Sequence, residues 1–186
     1  MSSVPITASA SPAAVVHEKQ VLRRCGLHAT NNILQHDGVH FSVDDFEGIA
    51  GEIQPGGDCC GNHHKAGCRQ GNYGVDVVMV ALMRRGLEAA WLRPSADLSQ
   101  LLAAPDGPVA LLLNRPTTGW CGLWKSNHWY TIRRVQGGHW LLLDSAAAAP
   151  EPMDPGQVVD HALQLKDDGV NVLLVQAQAS GDGDGE

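Results

Sequence analysis

The sequence lacks any apolar run of membrane-spanning length, so an integral helical membrane protein is not expected. It lacks positive charge in excess: 13 Lys and Arg face 20 Asp and Glu, leaving a net charge of −7. That balance argues against a general nucleic-acid binder; an acidic surface suits solubility, or a basic partner. The first 14 residues, rich in Ser, Ala, Pro and Thr, hold no basic residue. They therefore lack both the charged start of a signal peptide and the arginines of a mitochondrial transit peptide. The cysteine count is five, an odd number in 186 residues, which is too few for a disulfide scaffold in a chain able to bury a real core. A reducing compartment is the expectation, cytoplasm or nucleus. With 44% apolar and 18% charged residues the chain is globular.

What is present centres on Cys25. Gly26, Ala29 and Ile33 fall at i, i+3 and i+7, with Leu34 beside them, and no Gly or Pro intervenes between Gly26 and Gly38. The spacing predicts a helix beginning near Cys25. A cysteine in a first helical turn lies among unpaired N–H groups at the positive end of the macrodipole, where the thiolate is favoured. Gln20, five residues upstream, offers an amide donor suited to an oxyanion forming beside the sulfur. Taken alone, Cys25 reads equally as a small buried hydrophobe.

Further along, Ser42 and Asp45 form a capping box opening a second helix that carries Phe46 and Ile49. Val75, Val78, Met79, Leu82 and Met83 mark an amphipathic helix ended by Gly86. The expected elements after it are a strand over 87–92, a short helix over 97–103 and a strand over 109–113. Strands over 129–135 and 140–143 follow, joined at Gly137-Gly138, then a helix over 157–165 and a strand over 170–175. Helices come mostly first and strands later with hairpin connections, which predicts an α+β fold with a largely antiparallel sheet.

The Gly-Gly hairpin carries the second half of the chemistry. His128 begins its first strand and Asp144 follows its second, so hairpin geometry makes them neighbours. A carboxylate beside an imidazole fixes its tautomer and stabilises the imidazolium. With the Cys25 thiol, the parts of a nucleophilic Cys–His–Asp site are present; the meeting of Cys25 with His128 is not enforced by any local pattern. His28, one turn after Cys25, is a competing base. His17 reads as a packing or contact residue, His139 as an exposed turn residue, and His161 has no obvious partner. Cys59, Cys60, His63, His64 and Cys68 supply enough ligands for zinc. Their adjacent spacing is poor for a zinc finger and no second knuckle follows, so no metal and no other cofactor is expected.

His17-Glu18-Lys19-Gln20, Cys25-x-x-His28-Ala29-x-Asn31-Asn32-x-Leu34-Gln35, His128-Trp129 and Leu143-Asp144-Ser145 together resemble the Josephin family of deubiquitinases. Gly71-Asn72-Tyr73-Gly74-Val75-Asp76-Val77 and Leu98-Ser99-Gln100-Leu101 are similar to its short members, which are little more than the catalytic domain. The resemblance implies a papain-like fold with a helical lobe facing a β lobe, over a catalytic domain of residues 15–177 between a flexible tail of 1–14 and an acidic disordered tail of 178–186. It implies Cys25 as nucleophile, His128 as general base and acid, Asp144 as orienting group and Gln20 as oxyanion donor. The implied partners are ubiquitin and ubiquitinated proteins, cut after the C-terminal glycine of ubiquitin, by a monomer. A ubiquitin-binding module that kept the fold without catalysis is the alternative, and a cysteine hydrolase with another substrate a third. Three features depart from the family pattern: Arg23-Arg24 before Cys25, a longer turn at Gln136-Gly137-Gly138, and the Trp120 and Trp124 loop, which reads either as a groove wall or as core.

Overall fold

The computed structural model describes residues 15–35, 40–56, 61–65, 71–118 and 125–178. Cys59, Cys60, Cys68, Trp120, Trp124, residues 1–14 and residues 179–186, on which several expectations fall, lie outside them. The elements run α1 (Cys25–Leu34), α2 (Val43–Ile53), α3 (Val75–Met83), β1 (Leu87–Trp91), α4 (Leu98–Ala103), β2 (Ala110–Thr118), β3 (Lys125–Arg134), β4 (Trp140–Leu143), β5 (Glu151–Met153), α5 (Pro155–Asp167) and β6 (Asn171–Ala177). The fold is α+β, as expected. All strand pairs are antiparallel, in one sheet of order β1-β6-β2-β3-β4-β5.

The sheet is buried on both faces, which explains why β2 opens on a continuous apolar run rather than an alternating one. Ala110 and Leu112 point to one side with Trp129, Leu173 and Val175, and pack on Ile33, Phe46, Val77, Val78 and Leu82 from α1, α2 and α3. Leu111 and Leu113 point to the other side with Tyr130, Ile132 and Trp140, against Leu98, Leu102, Val158 and Ala162 from α4 and α5. The helix that carries Cys25 lies close on the sheet because Gly26 has no side chain; a Cβ there would meet the Trp129 ring at 3.3 Å.

Local signals set the ends. Ser42 Oγ accepts from Asp45 N–H while Asp45 Oδ2 accepts from Ser42 N–H at 2.7 Å, closing the capping box of α2. Asp97 caps α4. The turn between β3 and β4 is a short 3-10 segment in which Gly137 and Gly138 take φ of 83° and 79°, conformations that favour glycine. Three features exceed the sequence reading: β2 and β3 extend toward each other as far as Thr118 and Lys125, β5 forms, and α5 starts at Pro155 with Asp154 and Gln157 as a second capping box. Among the described residues no helix is long and apolar enough to cross a membrane.

Candidate active site

Cys25 opens α1 and is only 4% exposed. Its Sγ donates to the Asn127 carbonyl at 3.7 Å, so the thiol sits at the start of β3, one residue from His128. The His128 imidazole hydrogen-bonds Asp144, and both Asp144 and Cys25 act on its ionisation. Nε2–H donates to Asp144 Oδ1 at 2.7 Å, which leaves Nδ1 for the sulfur. The same Oδ1 accepts from Ala146 N–H at 2.9 Å and so also turns the loop after β4. Hydrogen bonding to Asp144, then to Cys25, outweighs burial and raises His128 from 6.5 to about 9. Burial pushes the Asp144 carboxyl up, but the bonds from His128 and Ala146 and the charges of His128 and Arg115 overcome it and hold the group below its usual range. The structure therefore brings together Cys25, His128 and Asp144, including the one contact that no local pattern enforced.

Gln20 lies on a segment laced to two elements at once. Toward α1, Val16 exchanges hydrogen bonds with the Gln35 side chain, and Glu18 N–H donates to Asn32 Oδ1. Toward the loop after β4, His17 Nε2 donates to the Asp144 carbonyl at 2.8 Å, Gln20 N–H donates to the Ser145 carbonyl at 2.8 Å, and Lys19 donates to the Ala147 and Ala148 carbonyls. Arg23 forms a bridge with Gly71, where any Cβ would collide with the Arg23 carbonyl. Gln20 Nε2 donates to the Leu22 carbonyl at 2.8 Å, across a turn in which Leu22 takes φ of 58°. One of its two amide hydrogens is thus engaged by the backbone.

Glu18 is the residue that sequence reading passed over. Its carboxylate accepts from His28 Nδ1 at 2.7 Å and from Asn31 Nδ2 at 3.1 Å, and lies 2.9 Å from His40 Nδ1. Val21 N–H donates to His28 Nε2, which places the His28 proton on Nδ1, toward Glu18. His28 is thereby committed to this cluster and its ring does not serve Cys25. Burial raises Glu18, but the hydrogen bonds from His28 and Asn31 and the nearby histidine charges lower it on balance. Its contribution to stability is then present above the ordinary carboxyl value and lost as pH falls through the lowered one. Glu18→Ala is expected to lower unfolding free energy by roughly 2–3 kcal/mol at pH 7, and by less at pH 3, read by urea denaturation at both.

The other flagged side chains have structural partners. His64 Nδ1 lies 3.1 Å from Asp76 Oδ2, and His161 meets Tyr130. His139 is exposed in its turn. No cluster of three or more His, Cys, Asp or Glu able to hold a metal occurs among the described residues.

Comparison with known proteins bears on the same segments. The Josephin family model matches residues 20–176. The chain is 36% identical to Josephin-2 of Homo sapiens and of Mus musculus over 97% of this chain and 88% of theirs. It is 32% identical to a Josephin-like protein of Drosophila melanogaster over 75% of this chain and 63% of that one.

Proposed function

We propose, from the premise that this chain belongs to the Josephin family, that it is a thiol-dependent deubiquitinase cutting the bond after the C-terminal glycine of ubiquitin. The observation that carries this reading is the juxtaposition of Cys25, His128 and Asp144, with His128 hydrogen-bonded to Asp144 and the sulfur at a helix N-terminus. At neutral pH His128 holds its proton, and an imidazolium beside Cys25 favours the sulfur anion. The thiolate attacks the glycine carbonyl. The oxyanion is held by the Cys25 backbone N–H and an amide hydrogen of Gln20. His128 gives its proton to the departing amine, and the carbon–nitrogen bond breaks to leave a thioester. His128 then takes a proton from water, which attacks the thioester and releases the ubiquitin carboxylate and the Cys25 thiolate. Asp144 keeps the ring oriented throughout.

Ubiquitin bearing an electrophile at its C-terminus tests this directly. One adduct per chain is expected, on Cys25 by peptide mapping, and none with Cys25→Ala. Binding of ubiquitin by folded protein without any adduct would instead assign the chain to non-catalytic ubiquitin recognition, and an adduct on another cysteine would refute the site.

A further inference from the structure

His128 shares its side of β3 with Tyr130, two residues on, and the two rings stack. Their centroids are 5.9 Å apart and their planes 19° from parallel. Tyr130 is 4% exposed. Behind it, α5 brings the His161 ring edge-on, with Nε2 3.5 Å from the phenol oxygen. Burial drives the phenol up to about 12 and His161 down, toward its neutral form. Tyr130 O–H is therefore the donor and His161 Nε2 the acceptor. From β2, Arg115 is paired in register with His128, and its guanidinium lies 5.7 Å from the Tyr130 ring centre. Among the described residues, the charged and titratable groups acting on His128 are Asp144 after β4 and Cys25 on α1, while Arg115 on β2 acts on Asp144, Tyr130 and His161.

The Nε2 hydrogen bond to Asp144 and the sulfur beside the ring set its direction within its own plane. A single hydrogen bond at Nε2 resists tilting out of that plane only weakly, and tilting would swing Nδ1 away from the sulfur. A flat ring against one face of the imidazole limits that motion, and the electron-rich face of a phenol attracts a cation. We propose that Tyr130 is a positioning residue for His128, stacking on the imidazole so that its cationic form stays aligned between Cys25 and Asp144, with His161 bracing the phenol from α5. The inference rests on the proposed role of His128 as acid and base, and is independent of which protein is cut.

Tyr130 also packs with Leu111 and Leu113, so plain core filling is the competing account. Tyr130→Leu keeps an apolar filler and removes the ring; Tyr130→Phe keeps the ring and removes the hydroxyl. In Tyr130→Leu the His128 titration, followed by NMR, is expected to move toward acid by roughly 0.5 pH unit. Turnover of a fluorogenic ubiquitin amide is expected to fall ~10-fold in kcat with KM within about twofold. Tyr130→Phe should restore both to within about threefold of the parent. A folded Tyr130→Leu with the parental titration and kcat overturns the proposal. If the titration moves as stated while even the parent fails to turn over ubiquitin, the substrate assignment fails and the positioning role stands. Should Tyr130→Leu not fold, the parent decides alone: the His128 ring protons are expected upfield of ordinary imidazole positions through the tyrosine ring current, and ordinary positions overturn the proposal.

Discussion

Alanine at His128 is expected to lower turnover of a ubiquitin C-terminal amide by ~10²–10⁴, the usual worth of a positioned acid and base. Substitutions at Asp144 should fall in order below that. Asp144→Asn keeps an oxygen for His128 Nε2–H and for the Ala146 N–H, and should retain part of the activity. Asp144→Ala loses orientation as well as charge and should drop roughly 10²-fold. The pH profile gives the sharper test. In the proposed mechanism the form of His128 that protonates the leaving amine is the imidazolium, and His128 is raised from 6.5 to about 9. The basic limb of kcat/KM is therefore expected near pH 9 in the parent. Asp144 is the largest cause of that elevation, so in Asp144→Ala the limb should move down toward neutral. The stability contribution has the same sign: it is full below 6.5 and is lost as pH rises through about 9. Because Asp144 Oδ1 also turns the following loop, melting temperature must be measured on the same variants. An Asp144→Ala protein with parental turnover and an unmoved basic limb would reduce the site to a Cys–His pair.

Gln20→Ala is expected to lower kcat by ~10²–10³ with KM little changed, as for loss of one oxyanion donor. The structure adds a second consequence, since the same amide holds the Leu22 carbonyl and its oxygen lies 3.5 Å from Ser145 Oγ. Gln20→Glu removes the donor while keeping the contact with Ser145. A carboxylate keeps the bulk and the acceptor for Ser145 but offers no donor, and it repels a developing oxyanion. Its kcat should fall at least as far as that of Gln20→Ala. If kcat for both stays within a factor of a few while the melting temperature falls, Gln20 holds the turn and takes no part in the chemistry.

How far these assignments could be read from the residues alone depended on how local their causes are. The helix at Cys25 follows from an i, i+3, i+7 pattern, and the approach of His128 to Asp144 follows from a short hairpin; both needed nothing beyond their own segments. β5 escaped notice because it is three residues long with Pro152 at its centre, tolerable only on a sheet edge. Pro155-Gly156 reads as a break, yet Pro at the first helical position behind an Asp cap is a start. The polar ends of β2 and β3, Asn114–Thr118 and Lys125–His128, carry no apolar signal; pairing across the hairpin makes them strand. The meeting of Cys25 with His128 depends on α1 packing over Trp129, and the stacking of Tyr130 depends on strand alternation near the end of β3. Glu18 was visible only as one letter of a motif, because its partners lie 10 to 22 positions away on α1 and before α2.

The position of β6 has a consequence for synthesis on the ribosome. Although last in the chain, β6 is interior to the sheet, hydrogen-bonded to β1 on one side and β2 on the other, with Leu173 and Val175 fully buried. A nascent chain that has already emerged through Asp144 carries the thiol, the imidazole and the carboxylate, but its sheet is split where the final strand belongs. The apolar layer beneath α1 and α3 is unfinished until that strand arrives, so the platform under Cys25 is complete only once residues 171–177 have emerged. Products of premature termination before residue 171 would carry every proposed catalytic side chain and still lack the platform that aligns them.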